Sequence, residues 1–127
     1  MPKILIVDDD PEIVEITTRF LKRKGYETLC AGDGREAIAL ARSERPDLVI
    51  MDLDLGEEAM SGWEATRQIK EDPETRSILV FALTGNVMPH QKKLAIEAGC
   101  DDIAPKPFDL TLMPQKIRDL LDARRTP

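Results

Sequence analysis

Lys3-Ile4-Leu5-Ile6-Val7-Asp8-Asp9-Asp10-Pro11 places four consecutive apolar residues directly before three carboxylates. A run this short, rich in branched side chains and bounded by turn residues, reads as a strand buried on both faces. Two further runs repeat the arrangement: Leu48-Val49-Ile50-Met51 ends in Asp52, and Leu79-Val80-Phe81-Ala82-Leu83 ends in Thr84. A shorter one, Ile103-Ala104, leads into Lys106 between Pro105 and Pro107. Open α/β sheets bind ligands at the carboxyl ends of their strands. One sheet edge is therefore expected to collect Asp8, Asp9 and Asp52 with the Thr84 hydroxyl and the Lys106 ammonium.

Between the runs the periodicity changes to that of helices. Ile13, Ile16, Thr17, Phe20 and Leu21 keep the spacing of one helix face, with Asp10 as cap, Pro11 in the first turn and Gly25 as the stop. Tyr26 to Cys30 reads as strand two, Arg35 to Glu44 as helix two, and Asp47 to Met51 as strand three. Helix three runs from about Trp63 to Glu71 after the Ser61-Gly62 turn. Strand four is Ile78 to Leu83, helix four runs from about Pro89 to Ala98, and strand five is Asp102 to Ala104. Helix five turns Met113, Ile117, Leu120 and Leu121 inward. Because proline is tolerated only in a first turn, Pro114 favours Thr111 over Asp109 as its cap.

Five β-α units with right-handed crossovers give an α/β, doubly wound, five-stranded parallel sheet whose common order is 2-1-3-4-5. Strands one and three are then neighbours, so the three carboxylates meet where the winding reverses. Strands two and five become opposite edges, four spacings of about 4.8 Å apart, so Cys30 and Cys100 cannot reach the roughly 7 Å limit for a disulfide. Both are expected as free thiols.

At 127 residues the chain suits one domain, here 1–127. Its composition, 42% hydrophobic and 33% charged, is that of a soluble globular protein and includes no stretch that could span a membrane. The start runs straight into the first strand, which leaves no room for a signal peptide and sets the expectation of a cytoplasmic protein. A net charge of -6 argues against nucleic-acid binding, which needs a basic stripe. Phosphate chemistry at the acidic edge then calls for a bound cation. Three clustered carboxylates either hold a proton or bind a cation, and an oxygen-only, partly open site selects Mg²⁺. With the cation beside it, Asp52 could attack a phosphoryl group in line to give an acyl phosphate. Singly, each of these residues has a bland reading as a cap, turn residue or solvated charge; four strand ends supplying compatible groups outweigh that.

Lys-Ile-Leu-Ile-Val-Asp-Asp-Asp-Pro at 3–11, Pro-Asp-Leu-Val-Ile-Met-Asp-Leu at 46–53, Met-Ser-Gly-Trp-Glu at 60–64, Ala-Leu-Thr-Gly at 82–85, Ala-Gly-Cys-Asp-Asp at 98–102 and Lys-Pro-Phe at 106–108 together resemble the receiver domain of bacterial response regulators. Over essentially the whole chain the likeness is to the stand-alone, chemotaxis-regulator kind. The resemblance implies a flavodoxin-like (βα)5 fold and a phosphoacceptor of two-component signalling or a phosphorelay, not a turnover enzyme. It implies Asp52 as phosphoacceptor, and Mg²⁺ on Asp9, Asp52 and the backbone carbonyl of Asp54, with Asp8 holding a metal-bound water. Thr84 and Lys106 would contact the phosphoryl group. The implied donor is a phosphohistidine on a sensor histidine kinase or a histidine phosphotransfer protein. With helix five expected to end near Ala123 no output domain is foreseen, and output would pass to a protein partner through the face of helix four, strand five and helix five.

Two features depart from that pattern. Ten positions separate Asp52 from Gly62 where the family usually has eight, so Gly56-Glu57-Glu58-Ala59 makes a longer loop, either solvated or adding negative field near the metal through Glu57 or Glu58. Ile103 stands where the family carries Tyr or Phe, so a ring-based switch does not transfer. His90 is expected to be solvated and Trp63 half-buried. From another class, a phosphatase of the haloacid dehalogenase type also pairs two acids as Asp52 and Asp54 do, but on its first strand and with a cap absent here. A flavin module of the same fold would need a phosphate loop after strand one.

Overall fold

Alternate residues of each apolar run part to opposite faces of one sheet, as the period of two in a strand requires. The computed structural model describes residues 2–54, 61–85, 88–106 and 108–125. In chain order the elements are β1 (Lys3–Val7), α1 (Pro11–Arg23), β2 (Glu27–Ala31), α2 (Gly34–Glu44), β3 (Leu48–Asp52), α3 (Gly62–Glu71), β4 (Leu79–Thr84), α4 (Pro89–Ala98), β5 (Asp102–Pro105) and α5 (Met113–Arg125). The strands are parallel and ordered β2-β1-β3-β4-β5, as expected. On one face Leu5, Val7, Val49, Met51, Val80 and Ala82 pack against α2, α3 and α4 through Ile38, Ala41, Ala65, Ile69 and Ala95. On the other, Ile4, Ile6, Leu48, Ile50, Leu79 and Phe81 meet Leu21 of α1 and Met113, Ile117 and Leu121 of α5. Cys30 and Cys100 are free, and Trp63 is half-buried against the first cluster.

Strands two, three and four each lie one residue later than expected. The amide of Tyr26 is taken by Leu21 O at 3.1 Å, closing the end of α1, and that of Ile78 by Thr75 O at 3.0 Å in the preceding turn. Asp47 stands just outside β3, where its carboxylate accepts from the Lys3 amide at 2.7 Å. The shift has a functional consequence, since Asp52 and Thr84 become the last residues of β3 and β4 and share the rigidity of the sheet.

The inward face of α1 also differs from expectation. Thr17 and Leu21 are buried and Val14 packs on the core, whereas Ile13 is 41% and Ile16 56% exposed. Two overlapping stripes satisfy helical spacing here, and the isoleucines belong to the one that turns toward the sheet edge. The start of α5 needs a second correction. Thr111 is not the cap of the helix; Asp109 caps the short turn ahead of it, accepting from the Thr111 amide at 2.9 Å and hydroxyl at 2.7 Å, which hold its carboxyl below the usual range. That 3-10 turn spans Leu110–Leu112, so that Pro114 falls in the first turn of α5 (Met113–Arg125), where its missing N–H costs nothing. Asp10 caps α1 through the Glu12 amide at 2.9 Å, and Gly99 closes α4 at φ 104, a left-handed conformation that glycine adopts without strain.

Candidate functional site

Backbone pairing brings the strand ends together before any side chain is considered. Asp52 lies opposite Leu83 in the β3–β4 register, the Leu53 amide donates to Leu83 O at 2.9 Å, and the Lys106 amide donates to Thr84 O at 2.9 Å. Just after Lys106, Phe108 packs edge-on against Phe81 with ring centroids 5.4 Å apart, which anchors the segment carrying the ammonium. On the other side of the edge the Asp8 amide donates to Ala31 O at 3.1 Å.

Within this frame Asp8, Asp9 and Asp52 present carboxylate oxygens that lie within 4.8 Å of one another. Asp8 is 7% and Asp52 2% exposed, while Asp9 is exposed. Burial pushes the Asp8 carboxyl up to about 6; the Asp10 amide, donating at 2.9 Å, opposes the rise and the charge of Asp52 adds to it. One oxygen of Asp52, Oδ1, is taken by the Lys106 ammonium at 3.1 Å and the Asp54 amide at 2.8 Å. The other, Oδ2, is buried and has no hydrogen-bond partner among the described residues. Burial pushes the Lys106 pKa down, but its hydrogen bond to Asp52 and the charges of Asp52, Asp8 and Asp54 outweigh this and hold it above the ordinary lysine value. An unpaired buried oxygen among clustered carboxylates suits a hard divalent cation with oxygen ligands, so the donor set fits Mg²⁺.

Two groups have a larger part in the site than the sequence indicated. Asp54, expected to contribute its backbone carbonyl, also uses its side chain, which accepts from the Gly85 amide at 2.7 Å and lies 3.2 Å from the Thr84 hydroxyl. Its position two residues after Asp52 was the available signal. Gly62, read as a turn residue, opens α3 directly against β3: a Cβ there would stand 2.3 Å from the backbone oxygen of Asp52 and 2.8 Å from Leu53 Cα. The Gly56–Ala59 stretch with Glu57 and Glu58 lies outside the described residues. Ile103 pairs with Ala82 and packs, half-buried, against the cluster beneath α3 and α4. His90, in the first turn of α4, is exposed.

The exposed isoleucines of α1 also belong here. Ile13 and Ile16, with Phe108, Leu110 and Met113, wall a mainly apolar cleft of about 210 Å³ that reaches Asp8, Asp52 and Lys106.

A doubly wound sheet with an acidic, cation-compatible pocket at its switch point is shared with known signalling domains. The family model for the response regulator receiver domain matches residues 4–118, and the chain belongs to that family, the receiver domains of two-component systems. It is 37% identical over 126 residues to the DNA-binding dual master transcriptional regulator RpaA of a Synechocystis species, covering 99% of this chain and 51% of that protein. It is 35% identical over 122 residues to the polar-differentiation response regulator DivK of Brucella anthropi, covering 95% of this chain and 98% of that one. The chain thus spans about half of some curated relatives and nearly all of others. Among solved structures, the receiver domain of a sensor histidine kinase from Pseudomonas aeruginosa superposes with a TM-score of 0.85 at 27% identity, covering 95% of this chain and 98% of that one. That structure has a magnesium ion coordinated in its active site cleft.

Proposed function

We propose that Asp52 accepts a phosphoryl group from a phosphohistidine on a sensor histidine kinase or histidine phosphotransfer protein. The carrying observation is the Asp52 carboxylate itself, with one oxygen fixed by Lys106 and the Asp54 amide and the other buried without a hydrogen-bond partner among the described residues. The Asp52 carboxylate attacks phosphorus as the N–P bond of the donor breaks, and the leaving imidazole keeps the bonding pair and takes up a proton. Lys106 follows the developing charge on the transferred oxygens. Asp9 and Asp52, with the Asp54 carbonyl and a water on Asp8, would hold Mg²⁺, which supplies positive charge against the incoming phosphoryl group. The chain acts in the cytoplasm as a phosphoacceptor and not as a turnover enzyme. No helix among the described residues is long and apolar enough to cross a membrane.

The test is stoichiometry. With Mg²⁺ and a small acyl or amido-phosphate donor, the chain should take up one phosphoryl group, labile to alkali and hydroxylamine. Repeated release of phosphate from a generic ester would instead favour the two-acid phosphatase reading of Asp52 and Asp54.

A protein donor needs more than the reacting carboxylate, and we assign its docking to the apolar cleft wall of Ile13 and Ile16. Replacing both with Ser should slow transfer from a protein donor about ten-fold or more while labelling by the small donor stays at the parental rate. Output passes to a protein partner through the face of α4, β5 and α5, where Met88 and Ile96 are 64% and 66% exposed. Support for movement there comes from α4, whose buried contribution is Ala95.

The acidity of Asp8 sets a pH dependence. Its proton, held with a pKa of about 6 against an ordinary 3.8, competes with Mg²⁺. Metal affinity should be full above that value and fall as pH drops through about 6, and Asp8→Asn should flatten this dependence in a calorimetric titration. In the metal-free protein the folded state holds this proton more tightly than the unfolded chain does. Asp8 therefore contributes stability that is full below pH 3.8 and lost as pH rises through about 6. Asp8→Asn should accordingly melt higher than the parent at pH 7 without metal.

A further inference from the structure

Thr84 and Lys106 come from adjacent strand ends, yet they turn to different carboxylates. The ammonium of Lys106 sits 3.1 Å from Asp52 Oδ1, whereas the hydroxyl of Thr84 lies 3.2 and 3.4 Å from the two oxygens of Asp54. The next backbone donor, the Gly85 amide, gives its proton to the same Asp54 carboxylate at 2.7 Å. Asp54 is fixed from its other side too, because its own amide donates to Asp52 Oδ1 at 2.8 Å. One exposed acid thus ties the backbone after β3 to that after β4.

We propose that Asp54 is a positioning residue, a carboxylate latch that holds Thr84 and Gly85 in the resting arrangement and competes with a phosphoryl group on Asp52 for the Thr84 hydroxyl. The inference rests on Asp52 being the phosphoacceptor. A hydroxyl has one proton, so a bond to Asp54 is a bond withheld from phosphate. At 3.2 and 3.4 Å the bond to Asp54 is long and shared between two oxygens, so a closer charge-assisted bond to phosphate can displace it. A phosphoryl group brings about two negative charges to the edge, where the Asp54 carboxylate already shares the field of Lys106. Repulsion between the two anions and the transfer of Thr84 from one to the other then act in the same direction, releasing Gly85. The latch biases a two-state equilibrium by its differential contacts, as any such element must.

Asp54→Asn keeps the size of the side chain and an acceptor oxygen but removes the anion. Without any phosphoryl mimic, the Gly85 amide proton should move upfield and exchange with solvent faster in the variant than in the parent. At saturating Mg²⁺, beryllofluoride should bind the variant about ten-fold more tightly. In a Thr84→Ala background the same substitution should give a several-fold smaller gain, because only relief of the repulsion between the two anions remains and no hydroxyl is left to be released. An equal gain in both backgrounds would assign the effect to charge alone and overturn the latch, as would a Gly85 amide unchanged by Asp54→Asn. A parent protein that fails to bind beryllofluoride at all would instead overturn the reading of Asp52, while the Gly85 comparison, made without the mimic, still decides whether Asp54 holds that amide.

Discussion

Asp52→Asn should abolish formation of the acyl phosphate, taking the adduct from about one equivalent per chain to none detectable by intact mass. The amide oxygen is not a nucleophile at neutral pH, and the Lys106 ammonium that follows the charge on the transferred oxygens sits 3.1 Å from this carboxylate. The fold should survive, since Asn retains an oxygen for the Asp54 amide and removes one of three clustered negative charges. Loss of labelling with an unchanged or raised melting temperature therefore reports chemistry and not unfolding. An adduct of parental level in this variant would move the phosphoacceptor elsewhere.

Gly62→Ala should be the most damaging of the small substitutions. The added methyl would stand 2.3 Å from Asp52 O, 2.8 Å from Leu53 Cα and 3.0 Å from Asp52 C, all of them backbone atoms that cannot rotate away. Either α3 retreats from the sheet or the end of β3 bends, and overpacking of this kind costs about 2–3 kcal/mol or more. Against a total stability of about 5–15 kcal/mol, thermal melting should fall by roughly 10 °C. Ser61→Ala, which removes the adjacent cap bond to the Glu64 amide at 3.1 Å, provides the comparison and should cost about 1 kcal/mol. A Gly62→Ala protein melting within 2 °C of the parent, on a scale where 1 kcal/mol moves it by about 4 °C, would contradict the close approach of α3 to Asp52. The two variants also separate the roles of neighbouring backbone, since one removes the reacting group and the other its support.

Much of the site could be read from the sequence because parallel strands buried on both faces leave uninterrupted apolar runs whose polar successors stand out. Asp8, Asp9, Asp52, Thr84 and Lys106 are placed at one sheet edge in this way, and the strand order is the common one for a doubly wound sheet. What resisted reading depends on contacts distant in sequence. The side chain of Asp54 meets Thr84 and Gly85 some thirty residues later, a pairing that no local pattern announces. Gly62 looked like a turn residue because its close approach to β3 exists only once α3 is docked. In α1, helical spacing fits both Ile13-Ile16-Phe20 and Val14-Thr17-Leu21. The second packs on the sheet; the face read from the sequence mixed the two, joining Thr17 and Leu21 to Ile13 and Ile16, which line the apolar cleft beside Asp52. Ahead of α5 a short 3-10 turn capped by Asp109 leaves Pro114 in the first turn of the helix, a solution hidden from a reading that joined helix and cap directly.

Trapping the labelled protein with borohydride tests the central claim most directly, because reduction of an aspartyl phosphate converts that residue to homoserine and marks its place in the chain. After labelling with Mg²⁺ and a small phosphoryl donor, peptide mass spectrometry should find homoserine at position 52 alone, in proportion to the phosphate incorporated. Homoserine at Asp8, Asp9 or Asp54, or phosphate incorporated without any reduced aspartate, would contradict the account.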